Sequence, residues 1–138
     1  MRNNLYICNA KPQTKTTLTS PICGSNFGTH YIFNELLYRG FTVDVGVIET
    51  REMKNGKSEY HQYEIDFIAA NGNEKYYIQS AYELSTETKR EQELQSLKRI
   101  DDSFQKIIIV KDDIMPYRDE KGIFYTSLFQ FLTSDKLI

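Results

Sequence analysis

Tryptophan is absent from this 138-residue chain, and cysteine, histidine and proline are scarce, at two, two and three. Cys8 and Cys23 form no Cys-x-x-Cys pair, and with so few histidines a zinc centre is not expected; free thiols in a reducing compartment are. No apolar run approaches the ~20 residues of a membrane-spanning helix. The N-terminus is polar rather than charged and then apolar, so a signal peptide is not expected either. The chain is therefore expected to be cytoplasmic, with no membrane partner. An excess of one charge is also missing: the net charge is −2, so composition implies no tight electrostatic binding to nucleic acid and leaves room only for a local basic patch.

The chain does carry 40% hydrophobic and 13% aromatic residues, which excludes a disordered polymer and fits one domain burying roughly two thirds of its unfolded surface. Its organising stretch is Tyr63-Glu-Ile-Asp-Phe-Ile-Ala-Ala70, Asn71-Gly72, Asn73-Glu-Lys-Tyr-Tyr-Ile-Gln-Ser-Ala81. Two alternating runs flanking Asn-Gly predict a hairpin with a type I′ turn. With Asn71 and Gly72 as the loop, Asp66 faces Tyr77 and Glu64 faces Gln79. Opposed residues share a sheet face, so Glu64, Asp66, Tyr77 and Gln79 are expected on one side, and Ile65, Phe67, Tyr76 and Ile78 on the other, in a core.

Taken in order, residues 1–25 read as a lead-in with a short strand at Leu5–Cys8 and a polar loop in which Lys11 and Lys15 are solvated. From Asn26 to Arg39 the spacing is helical and Gly40 ends it; Thr29, Ile32, Phe33, Leu36 and Leu37 share the stripe expected to pack on a sheet. Glu35 sits at the margin of that stripe, and His30 on its other flank reads as a surface residue. Phe41–Ile48 alternates as a strand, Glu49–Ser58 reads as a wider hairpin turn around Asn55-Gly56, and the next strand begins near Tyr60. Leu84–Ile100 is a second amphipathic helix capped at Ser85 or Thr86. Gln105–Val110 is a buried strand, Ile123–Thr126 a short one, and Ser127–Leu132 a closing helix.

The fold class expected is α/β with a mixed sheet, in the order α-β-β-β-α-β followed by a short strand and a helix. That order is similar to the core of the PD-(D/E)XK nuclease superfamily. The phrases Tyr31-Ile-Phe-Asn-Glu-Leu-Leu-Tyr-Arg-Gly40, Glu64-Ile-Asp-Phe67, Tyr77-Ile-Gln-Ser-Ala-Tyr82, Thr88-Lys-Arg-Glu91 and Leu94-Gln-Ser-Leu97 resemble the C-terminal nuclease-like domain, of unknown function, in prokaryotic AAA-type ATPases. The resemblance runs from about Asn26 to the end, making 26–138 one nuclease-like domain. It implies either an ATPase domain in the same full-length protein or a gene that encodes this module alone. The phosphate loop Gly-x-x-x-x-Gly-Lys-Ser/Thr does not occur in these residues, so they are not expected to hydrolyse ATP.

In nucleases of that superfamily a helix Glu, a strand Asp and a Glu on the next strand hold Mg²⁺, and a Lys two residues on orients the attacking water. The resemblance assigns these positions to Thr29, Asp66, Gln79 and Ala81, so only the Asp is retained. Glu64 or Glu35 could replace a carboxylate and Lys89 or Arg90 the cation, whereas Lys75 lies too far along its strand. The leading expectation is a catalytically degenerate nuclease-fold accessory domain that binds a partner protein or nucleic acid and needs no cofactor. In it Asp66 and Gln79 hydrogen-bond across the hairpin and to the first helix. The alternatives are a weak Mg²⁺- or Mn²⁺-dependent DNA nuclease using Asp66 and Glu64, and a purely structural interaction module or homo-oligomer with tyrosines at its interface.

Overall fold

A computed structural model describes residues 4–8, 28–81 and 86–138; the readings at Lys11, Lys15, Cys23 and Ser85 lie outside the described residues. The elements in chain order are β1 (Asn4–Cys8), α1 (Thr29–Tyr38), β2 (Thr42–Lys54), β3 (Lys57–Asn71), β4 (Glu74–Ala81), α2 (Glu87–Lys98), β5 (Gln105–Val110), β6 (Tyr117–Arg118), β7 (Phe124–Ser127) and α3 (Leu128–Thr133). They build an α/β structure on one mixed seven-stranded sheet in the order β1-β2-β3-β4-β5-β7-β6. β1 to β4 are antiparallel neighbours, β5 runs parallel to both β4 and β7, and β6 closes antiparallel onto β7.

Helices cover both faces. Leu94, Leu97 and Ile100 of the α2 region pack with Ile68, Tyr77 and Ile108 on one face, while Ile32 and Leu36 of α1 and Phe131 of α3 pack with Phe67, Ile78 and Ile107 on the other. Burial on both sides is why β5 reads as an uninterrupted apolar run rather than an alternating one. α1 ends in a Schellman closure: Gly40 adopts φ +83°, and the N–H groups of Gly40 and Phe41 donate to the Leu37 and Leu36 carbonyls at 3.0 Å. The buried stripe of α1 is narrower than its sequence suggests. Thr29, Ile32 and Leu36 are buried, but Phe33 and Leu37 are 36% and 48% exposed, because they lie one flank away from the line along which the helix meets the sheet.

The two Asn-Gly turns differ from each other. Asn55 and Gly56 have φ of +52° and +76°, and Lys54 pairs directly with Lys57. This is a tight type I′ turn, so the wide loop expected over 49–58 is replaced by strand running to the tip. At the second turn Asn71 pairs with Glu74, and the loop is Gly72-Asn73 with positive φ only at Gly72. Glycine at the first central position makes it type II′. The hairpin therefore slips by two in register: Ile68, not Asp66, faces Tyr77. A slip of two keeps each side chain on its face.

A bulge changes faces where the slip does not. β2 pairs Asp44 with Ile68 and then Gly46 with Ile65, so Val45 alone spans Asp66 and Phe67. Ile65 and Ile68 consequently point into the same α2-side core, whereas Phe67 points to the α1 side. This overturns the expectation that Ile65 and Phe67 share a face. Both isoleucines close over Gly46, where an added Cβ would stand 2.7 Å from Ile68 Cδ1 and 3.3 Å from Ile65 Cβ. Overpacking of that kind typically costs 1–3 kcal/mol. Gly46→Ala is expected to destabilise by about that much in urea unfolding, and by less in an Ile68→Val background, which removes the nearest atom. Additive losses in that double-mutant cycle would show that Gly46 is not held small by Ile68.

Candidate functional site

Asp66 sits on the bulge, at the point where β3 and β4 part. The last ladder pair is Phe67 with Ile78, and two residues further along β4 the backbone N–H of Ser80 donates to Asp66 Oδ2 at 2.8 Å. Ser80 Oγ donates to the same oxygen at 2.8 Å, and Gln79 Nε2 donates to Oδ1 at 3.2 Å. Gln79 Oε1 in turn accepts from the Asp66 backbone N–H at 3.4 Å and from Ser96 Oγ of α2 at 3.5 Å. The Gln79 amide thus behaves like an extra peptide group across the gap, and Asp66 substitutes for the backbone acceptor that the bulge displaces. Burial raises the Asp66 carboxyl above its ordinary value, with the nearby Glu64 charge adding to this and the bonds from Ser80 and Gln79 opposing it.

The bonding across the hairpin is as expected, but the helix that joins it is α2 through Ser96 rather than α1. Thr29 is buried in the α1-side layer with its hydroxyl unpartnered. Glu35 is taken up elsewhere: it accepts from Arg39 Nε at 2.7 Å, and the same guanidinium bonds the Phe131 and Ser134 carbonyls, tying α1 to the end of α3. Glu64 is exposed, and the bulge places it on the face opposite Ile65 and Gln79. Ala81, which the resemblance sets at the Lys position, is 4% exposed within the α2-side core.

Of the two surrogate cations, Arg90 is engaged elsewhere. Arg90 donates to Tyr117 Oη at 2.9 Å and lies 5.1 Å from the centre of the Tyr125 ring, which stacks on Tyr117 at 4.7 Å. Those contacts are on β7 and β6, three and four strands from β3 in the sheet order, so about 14 and 19 Å away at ~4.8 Å per strand. The N-terminal half of α2 crosses the wrong end of the sheet. Lys89 belongs to α2, and its side chain lies outside the described residues. Lys75 stacks on Tyr77 and Phe104 with Nζ 5.0 and 5.3 Å from their ring centres. His30 is exposed, as its flank position implies.

A hard divalent cation requires several free oxygen ligands, and these residues do not fit one. The single carboxylate at the site already receives three internal donors, and no group of three or more His, Cys, Asp or Glu among the described residues is placed to hold a metal. Two cavities of about 370 and 600 Å³ near residues 134–138 include none of Asp66, Gln79 or Ser80. Ser80 and Ser96 are the contributors that sequence reading missed. Strict alternation turns Ser80 away from Asp66, and only the bulge brings them together; Ser96 carried a weak signal, as a small polar residue between Leu94 and Leu97 on the buried stripe of α2.

The two buried tyrosines on this side are also fastened by acids. Tyr77 donates to Asp102 Oδ2 at 2.6 Å, and burial and that bond push its phenol well above the ordinary range. Burial raises Tyr125 to about 12, and its hydroxyl donates to Asp119 Oδ2 at 3.3 Å. Neither phenol is poised to exchange a proton near neutrality.

No family model matches the chain, and no solved structure matches it significantly. It is similar to an uncharacterized protein of Haemophilus influenzae (strain ATCC 51907 / DSM 11121 / KW20 / Rd), 35% identical over 89 residues, which cover 62% of this chain and 18% of that protein. The aligned part thus spans under a fifth of the relative's length.

The raised Asp66 carboxyl makes a signed prediction. A carboxyl whose folded pKa exceeds its unfolded value contributes most below the unfolded value of 3.8, and that contribution is lost as pH rises through the folded pKa. Measured by urea unfolding from pH 7 down to pH 4, the wild type is expected to gain stability relative to Asp66→Asn. A flat or opposite difference would mean that Asp66 is not desolvated. Asp66→Ala, which strands the Ser80 N–H, is expected to cost about 1–3 kcal/mol at pH 7, more than Asp66→Asn.

Proposed function

We propose that the chain is a nuclease-fold module without catalytic chemistry, an accessory domain that contacts a partner protein, similar to the C-terminal domains of prokaryotic AAA-type ATPases. The element order from α1 through β2, β3, β4, α2 and β5 supports the fold reading, as do the phrases around Glu64, Tyr77 and Thr88. Fold alone does not assign function, so the weight rests on one observation. The Asp66 carboxylate, the sole retained member of the four-position motif, is consumed by Ser80 and Gln79 as a structural brace.

A protein partner is favoured over nucleic acid because the net charge is −2, and Arg39, Arg90 and Arg118 among the described cations are engaged with the protein's own carbonyls, rings and side chains. An accessory role agrees with similarity to a small part of a much longer protein. Hydrolysis of ATP would belong to another domain of such a protein.

Purified protein with Mg²⁺ or Mn²⁺ is expected to leave single- and double-stranded DNA uncut and to produce no mobility shift at low micromolar concentration. Divalent-dependent cleavage that disappears in Asp66→Asn would overturn the reading and restore a nuclease assignment. A mobility shift without cleavage would move the partner from protein to nucleic acid.

A further inference from the structure

Beyond its pairing with β4, β3 has a long edge that no other described strand occupies. β4 accompanies β3 only over Phe67–Asn71, while β2 accompanies it from Lys57 to Ala70. Among the described residues no strand lies beside Lys57–Ile65 on the outer side. The direction of each backbone group there follows from the tight turn. Lys54 and Lys57 flank the two-residue loop as its closing pair, so Lys57 exchanges its hydrogen bonds with β2, and by alternation so do Glu59, His61, Tyr63 and Ile65. Ser58, Tyr60, Gln62 and Glu64 therefore aim their N–H and C=O groups outward. An edge of this kind is a template for another strand.

We infer that this edge is a self-association surface on which β3 pairs antiparallel with β3 of a second copy, about a two-fold axis at His61. Only an even-numbered pairing sum keeps both copies' faces aligned across such an axis. Of these registers, the one centred on His61 matches Ser58 with Glu64 and Tyr60 with Gln62, and so uses every outward group; shifting by one pair in either direction leaves some unmatched. Four hydrogen-bonded pairs result, each exchanging two bonds.

The side chains support the same register. Arg51 crosses to the edge and donates to Ser58 Oγ from Nη2 at 2.7 Å and Nε at 3.0 Å. Ser58 is the residue that faces Glu64 of the second copy. Each interface would therefore set Arg51 against an opposite carboxylate twice by symmetry, on a face where Glu64 is exposed and has no ion pair among the described residues. Within one chain Arg51 pairs with Tyr60, four residues from Glu64 along β3, so the Arg51–Glu64 contact belongs to the dimer. Tyr60, 72% exposed under the Arg51 guanidinium, gains cover from Gln62 of the other copy. The inference stands independently of the nuclease-fold reading, because it uses only the β2–β3 ribbon.

The test is the mass in solution by light scattering across 1–500 μM protein, for the full chain and two kinds of variant. The wild type is expected to be a dimer in the upper part of that range. Tyr60→Pro removes an outward N–H that the monomer does not use, and is expected to give a monomer with a retained thermal transition. Should Tyr60→Pro not fold, Gln62→Pro serves the same purpose on the next outward group. Arg51→Glu is expected to weaken dimerisation at least tenfold and the Arg51→Glu, Glu64→Arg pair to restore it. A wild type that stays monomeric to 500 μM, a folded proline variant that remains dimeric, or a charge reversal without rescue would each overturn the proposal. A monomer that instead takes up an added extended peptide would also overturn it, by giving the edge to a different occupant.

Discussion

The bond between the Ser80 N–H and the Asp66 carboxylate is the constraint on which the centre of this sheet depends. β4 must leave β3 to run beside β5 through Ala81 and Val110, and leaving a ladder strands backbone donors in the interior. An unsatisfied buried donor costs about 1–3 kcal/mol. Asp66 removes that penalty by reaching across the gap, and Gln79 closes the remaining space from the other strand. The brace has its own cost, because burial opposes the charge that makes Asp66 a good acceptor. Three internal donors are the compensation.

The extra residue of β3 at this point turns one strand into two with different facing. Above it, Phe67 and Ala69 belong to the α1 side; below it, Ile65 joins Ile48 and Ile68 under α2. The crossover of faces works only if β2 yields space, which it does at Gly46. The lower half of β3 is then free of β4 and continues with β2 as a ribbon, whose base is clamped where Arg99 of the α2 end donates to Tyr63 Oη at 2.7 Å and lies 4.1 Å from its ring centre. Brace, bulge and ribbon are therefore a single feature seen at three places along the chain.

Much of this was legible from residue pattern. Gly40, Asn55-Gly56 and Asn71-Gly72 marked the ends of elements because each needs a backbone conformation that few other residues take, and β5 was recognisable as a short apolar run. The turn at 71–73 was misplaced because glycine suits the second position of one hairpin turn and the first of another, so the dipeptide alone does not choose. That slip did no harm to the faces. The bulge did, since nothing in an alternating run announces a doubled residue, and it moved Ile65 and Glu64 to unexpected sides. Arg90 was misassigned for a different reason: sequence places a residue on a helix but does not say over which strands that part of the helix will pass.

On the proposed nuclease-fold reading, the departures at Gln79 and Ala81 support one another physically. With a neutral amide at 79, a lysine at 81 would have to bury an ammonium among Leu94, Leu97 and Tyr77 with no facing charge beyond an already engaged carboxylate. Isolated buried charges are strongly unfavourable, and alanine avoids the cost. Conversely, a glutamate at 79 would set a second carboxylate against Asp66, whose carboxyl is already raised, and would remove the amide protons that now stabilise it. Once no cation sits between them, a lone acid braced by Ser80 and Gln79 is the stable arrangement. The state observed is thus internally consistent as a structural joint, and a lysine at 81 or a glutamate at 79 introduced alone would destabilise it.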